Sequence, residues 1–127
     1  MASLGDNGYW ADLEMVPGQG DGYLDFPSDD PNAYSLRCKG DSMLPRIKDG
    51  EFVVVEPSHP VEAGDEVLVR AHDERVMVKT FLYSRAGRTH LSSINENHPP
   101  IVIDNDQIER MHFVGAIVKS KYWRQRS

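Results

Sequence analysis

Apolar residues in this chain come in short runs, and turn-forming residues cut them every ten or so positions. Tyr34, Leu36 and Cys38 alternate with Ser35, Arg37 and Lys39, the period of a half-buried strand. Lys48-Asp49-Gly50 is a turn, and Phe52-Val53-Val54-Val55 is a β-branched strand. Pro57 to Asp65 is a loop carrying two prolines, and Val67-Leu68-Val69 is the next strand. His72-Asp73-Glu74 predicts a hairpin turn, Arg75 to Tyr83 the longest strand, and Ala86-Gly87-Arg88 a second hairpin turn. His90 to Ile94 returns, Asn95 to Pro100 is a loop, Pro100 to Ile103 is extended, and Met111 to Val118 is a last strand. Nothing sustains a helical period: Met43 to Ile47 is long enough for one turn only, and Pro45 limits it. Short strands at this spacing predict an all-β barrel or sandwich.

The 127 residues favour one domain with a modest core. Residues 1–33 hold five glycines and scattered acids, with Tyr9, Trp10, Leu13, Met15 and Val16 as apolar exceptions. They predict an extended N-terminal arm with a few anchoring side chains. The folded domain spans 34–121, and 122–127 closes the chain as a basic tail: Lys119, Lys121, Arg124 and Arg126 crowd this end. A net charge of −6 argues against gripping a phosphate backbone directly. Cys38 is the only cysteine, so no intrachain disulfide forms and no oxidising compartment is implied. No apolar run is long enough to span a membrane, and no leader opens the chain, so a cytoplasmic location is expected.

Chemistry concentrates in Gly40-Asp41-Ser42-Met43-Leu44-Pro45, where a glycine lets the backbone bend beside a hydroxyl nucleophile. No acid–histidine pair follows to complete a triad, but Lys79 does, in Val76-Met77-Val78-Lys79-Thr80-Phe81. Side chains alternate across a strand, so Met77, Lys79 and Phe81 share one face and Val76, Val78 and Thr80 the other. Both faces are largely apolar, and a lysine there loses hydration and is pushed towards its neutral form. A neutral amine is what a general base for serine must be. Taken singly, each residue has a plainer reading: Lys79 as an edge lysine reaching for water, and Gly-Asp-Ser as ordinary turn composition.

The ordered set of pieces resembles the serine–lysine peptidase domain of the LexA repressor, the phage repressors and UmuD. The matching pieces are Lys39-Gly-Asp-Ser-Met43, Lys48-Asp-Gly-Glu-Phe52, Val61-Glu-Ala-Gly-Asp65, Val76-Met-Val-Lys79, Ile94-Asn-Glu-Asn97 with Pro100-Ile-Val102, and Val114-Gly-Ala-Ile-Val118. They run in family order over residues 34–121, and their wording is nearer to repressors of temperate phages than to LexA itself. The resemblance implies a LexA-like fold and an autoproteolytic serine peptidase. Ser42 would attack a peptide bond of the chain's own N-terminal arm. Lys79 would take the serine proton and later supply one to the leaving amine. Backbone N–H groups of Asp41 and Ser42 would receive the oxyanion. It further implies a homodimer, an activated recombinase filament as inducer of an SOS-type response, and DNA contact only through a separate N-terminal helix-turn-helix domain.

Two features depart from that pattern. Nothing before Tyr34 is helical enough for a helix-turn-helix, and residues 1–33 contain neither Ala-Gly nor Cys-Gly, the family's usual scissile pairs. The expectation is therefore the C-terminal part of a repressor, as a cleavage product or a shortened chain. A UmuD-like accessory subunit of a lesion-bypass polymerase is the alternative. A signal-peptidase-like enzyme acting in trans would need a membrane anchor. No cofactor is implied. The histidines at 59, 72, 90, 98 and 112 lack ligand-like spacing, and Asp104, Asp106 and Glu109 read as a solvated turn rather than a calcium loop.

Overall fold

The computed structural model describes residues 13–15, 22–24, 26–39, 46–92 and 100–125. Its strands are β1 (Leu13–Met15), β2 (Gly22–Leu24), β3 (Tyr34–Cys38), β4 (Phe52–Glu56), β5 (Glu66–Ala71), β6 (Val76–Arg85), β7 (Arg88–Ser92), β8 (Ile101–Asp104), β9 (Ile108–Val118) and β10 (Trp123–Gln125). Two 3-10 turns, Asn105–Gln107 and Ser120–Tyr122, are the helical elements among the described residues. The all-β expectation holds.

Eight strands form one antiparallel sheet in the order β1-β3-β4-β9-β5-β6-β7-β8, and β10 pairs with β2 in a separate two-stranded ribbon. The valine-rich middle of the chain makes the centre of this sheet, because its strands are apolar on both faces and must be covered on both. Val53 and Val55 of β4, Leu68 of β5 and Val76 and Val78 of β6 join Leu36, Cys38, Ile47 and Val114 in a first core. The opposite faces of β5 and β6 place Val67, Val69 and Met77 in a second core with Leu91 and Ile101. Phe52, Val54 and Val118 form a third, smaller core, covered by Leu24, Ala116 and Trp123.

Three bulges bend β9 and β6. Val54 pairs with Ala116 and Val55 with Val114, so Gly115 is the extra residue. A side chain at Gly115 would meet the Glu56 carboxylate, which would have to move aside. Glu109 is skipped opposite Arg70 and Ala71, and Leu82 opposite His90 and Leu91.

The predicted strands are present with shifted ends, except that Ser93 and Ile94 of the expected return strand, like the loop after them up to residue 99, lie outside the described residues. β6 runs two residues beyond Tyr83, and β9 begins three residues before Met111. Three short strands had not been expected. β1 and β2 lie within residues 1–33 and are paired with β3 and β10, so those two pieces of the arm are docked. Within 122–127, Trp123–Gln125 form β10, and the Trp123 ring stacks on Phe52 at 5.6 Å. Asp104 ends β8, Asp106 sits in the 3-10 turn and Glu109 belongs to β9, so these acids do not share one loop.

Candidate functional site

Lys79 lies in the interior of the sheet. β6 lies between β5 and β7; Lys79 is the cross-strand partner of Val67 on β5, and the pairing with β7 begins at the next residue, Thr80. Its side chain is 3% exposed. An edge position, with the ammonium in water, is therefore not its situation. The pleat gives Lys79 the same face as Met77 and Phe81, both part of the second core. Burial lowers its pKa from the ordinary 10.5, since the charged form loses hydration there. The amine is thus biased towards the neutral, proton-accepting state.

The shift carries a stability consequence. Between the lowered pKa of the folded chain and 10.5, the unfolded chain holds a proton that the folded one lacks, so stability rises with pH in that window. Lys79→Met removes this dependence. It should also stabilise the fold at neutral pH by about 1–3 kcal/mol, because a buried charge site becomes an apolar side chain of similar length. Thermal unfolding of both chains at about pH 7 and about pH 10 checks this; a gap that stays constant across that window would contradict it.

Ser42 and Asp41, the expected nucleophile and oxyanion donors, lie outside the described residues. The residues that frame their segment are well fixed. Cys38 is fully buried, its N–H donates to Glu51 O at 2.8 Å, and its carbonyl accepts from Gly50 N–H at 2.8 Å. On the other side Ile47 is fully buried in the first core. Arg46 makes a two-pronged pair with Glu66 of β5: Nε donates to Oε2 at 2.9 Å and Nη2 to Oε1 at 2.8 Å. Glu66 is the partner of Thr80, the neighbour of Lys79. Sequence reading missed this pair, because neither residue lies in a recognisable motif and twenty positions separate them.

Three of the described histidines meet aromatic side chains. His59 stacks on Phe113, His90 stacks on Tyr83, and His112 Nδ1 lies 3.0 Å from Tyr34 Oη. Among the described residues no cluster of three or more His, Cys, Asp or Glu could hold a metal. A cleft of about 590 Å³ opens between Pro27–Pro31 and Glu56, Ser58 and His59, away from Lys79. Asp30 at its wall is already engaged, accepting the Asn32 and Ser58 backbone N–H groups.

The two Ala-Gly pairs are locked into turns. Gly64 has φ +97°, and its N–H donates to Phe81 O at 2.8 Å. Ala86 and Gly87 both have positive φ, the geometry of a two-residue hairpin turn. Asn105 N–H donates to Gly87 O at 2.8 Å, and buried Thr89 donates to Asn105 Oδ1 at 2.6 Å. A peptide bond under attack must lie extended against its nucleophile. Long incubation at alkaline pH should therefore yield no fragment ending at Ala63 or Ala86. Mass spectrometry decides, and Ser42-dependent fragments with either end would show the turns to be open to attack.

Residues 8–118 match the family model described as Peptidase S24-like. The chain belongs to the Peptidase S24-like family. This S24-like domain is 32% identical over 112 residues to "Repressor protein C" of Rhizobium phage 16-3, covering 80% of this chain and 41% of that protein. It is 30% identical over 86 residues to the "LexA repressor" of Clostridium kluyveri, covering 67% of this chain and 42% of the relative. Against "Prophage repressor CohE" of Escherichia coli the identity is 32% over 66 residues, 52% of this chain and 30% of the relative. The chain thus spans less than half the length of these relatives. Among the described residues no helix is long and apolar enough to cross a membrane.

Proposed function

We propose that this S24-like domain is the self-cleaving and self-associating part of a transcriptional repressor, with Ser42 as nucleophile and Lys79 as its base. The observation that carries the reading is the burial of Lys79 in an interior strand, where desolvation favours the neutral amine. A lysine costs stability at such a place, and a catalytic task accounts for its presence. In the reaction, Ser42 Oγ attacks the carbonyl carbon of the scissile bond while Lys79 Nζ takes the hydroxyl proton. The tetrahedral oxyanion is received by the backbone N–H groups of Asp41 and Ser42. Collapse breaks the C–N bond, and Lys79 returns the proton to the leaving amine. The acyl-serine is then hydrolysed by water, with Lys79 again as base.

The relatives named above are repressors, which favours this reading over a polymerase accessory subunit. On this proposal operator DNA is bound by residues beyond this chain, consistent with its net charge of −6, and a recombinase filament is the inducer. The test is self-cleavage of the polypeptide expressed with everything its reading frame encodes upstream. A single cut N-terminal to Tyr34, growing with pH and absent in Ser42→Ala, is expected. A cut that persists in Ser42→Ala, or none at alkaline pH, would sink the proposal.

Self-association is the second half of the reading. β9 pairs with β5 through Ile108 to Phe113 and with β4 through Phe113 to Val118, so the last strand, around Met111 to Lys121, has a β-paired partner on both sides only at Phe113. It leads into the turn where Tyr122 is 40% exposed. We expect a two-fold dimer in sedimentation at micromolar concentration, weakened by Tyr122→Ala. Monomer alone at high micromolar concentration would contradict it.

A further inference from the structure

The Arg46–Glu66 pair ties the end of the serine segment to the strand pair that carries Lys79. Ser42 is four residues from Arg46, so it lies within about 14 Å of that Cα at full extension. From Arg46 the guanidinium reaches Glu66, at the start of β5. One step along, Val67 is opposite Lys79. Both prongs of the fork are made, at 2.9 and 2.8 Å, which fixes orientation as well as distance. The pleat sends Glu66 and Val67 to opposite faces of β5, so the carboxylate is directed to Arg46 and not towards the lysine. Arg46 is 48% and Glu66 22% exposed, and an ion pair that wet adds little to stability. Its two-pronged geometry therefore stands out as an alignment device rather than a source of stability.

We propose that Arg46 and Glu66 are positioning residues for the serine–lysine reaction, their pair holding Arg46, which follows Gly40–Pro45 directly in the chain, at the start of β5 and so setting how Ser42 approaches Lys79. This rests on the Ser42–Lys79 reading. Neither residue touches the reacting atoms. Each acts through the segment it anchors, much as a small misplacement of a nucleophile lowers its rate without removing it.

Reactivity of the serine can be read without knowing the scissile bond. An alkyl fluorophosphonate is attacked at phosphorus by Ser42 Oγ. The P–O bond forms, the P–F bond breaks, fluoride leaves and Lys79 Nζ takes the hydroxyl proton. The second-order rate of this labelling, followed by intact mass, should fall about tenfold in Arg46→Gln and in Glu66→Gln. The double variant should be no slower than either single one, because the two act as a unit. The charge-swapped chain, Arg46→Glu with Glu66→Arg, should recover most of the rate. Melting temperatures should stay within about 4 °C of the parent, the scale of a surface pair in a domain this size. The pH midpoint of labelling should not move.

Unchanged rates in the single variants overturn the proposal, as does a loss that follows melting temperature and is not recovered by the swap. A shifted midpoint also overturns it, since the pair would then be acting on the lysine's charge. Ser42→Ala and Lys79→Ala separate this from the parent reading. If both are inert while the pair variants react normally, only the positioning role fails. If either reacts like the parent chain, or the parent takes no label, the dyad reading fails and this one with it.

Discussion

Lys79→Ala is expected to slow fluorophosphonate labelling of Ser42 by at least about 100-fold, within the range that a positioned general base contributes. The warrant is the state of the amine. Lys79 is 3% exposed and its pKa is lowered by burial, so near neutrality it holds its lone pair more often than a lysine in water. Arginine should not rescue the rate, because its guanidinium stays protonated and has no lone pair to offer. Methionine should be equally inert while folding more stably than the parent, which separates loss of the base from loss of the fold. That combination, lower activity with higher stability, is expected where an active site has been kept at a cost to the core. A Lys79→Met chain that labels at the parental rate would remove Lys79 from the mechanism.

Phe52→Ala is expected to cost about 3–5 kcal/mol of folding stability, the largest effect foreseen for a residue outside the candidate site. Phe52 is 1% exposed, at the head of β4. Its ring stacks on Trp123 at 5.6 Å, and the Arg37 guanidinium lies 5.1 Å from its centroid. It thus joins the main sheet to the β2–β10 ribbon, and truncation empties the third core. Against a typical total of about 5–15 kcal/mol, that loss leaves little margin. Trp123→Ala removes only the outer partner, which is half-buried, and should cost less. Urea unfolding gives both values. Equal losses, or a Phe52→Ala midpoint close to the parent's, would mean that the ribbon and sheet are not coupled through this ring.

The centre of the fold was legible because valines repeat there. β4, the middle of β5 and the first half of β6 are apolar and buried on both faces apart from Lys79, and such runs have few alternatives to a sheet covered on both sides. β1, β2 and β10 were hidden for the opposite reason. Leu13-Glu14-Met15, Gly22-Tyr23-Leu24 and Trp123-Arg124-Gln125 are too short to show a period, and their partners are distant in the chain: Leu24 meets Trp123. The bulge at Gly115 was equally invisible, since Met111 to Val118 alternates and then runs apolar, and the missing register step exists only opposite Val54 and Val55. At the candidate site, the apolar neighbours of Lys79 were readable from residues two positions away. Its depth of burial was not, because that depends on β5 pairing alongside it and on β7 pairing from Thr80 onward. Arg46 and Glu66 carry no local signal at all. Their meeting depends on how the first core places Ile47 next to the β5 strand.

The most direct measurement of the central claim is the pH profile of labelling, with the modified residue located by peptide mapping. Deprotonation of Lys79 switches the base on, so the rate should climb along a single titration and level off above it. The midpoint should lie below the 10.5 of an ordinary lysine, and the label should sit on Ser42 alone. A rate independent of pH, a rise that begins only above 10.5, or a label on another residue would contradict the account.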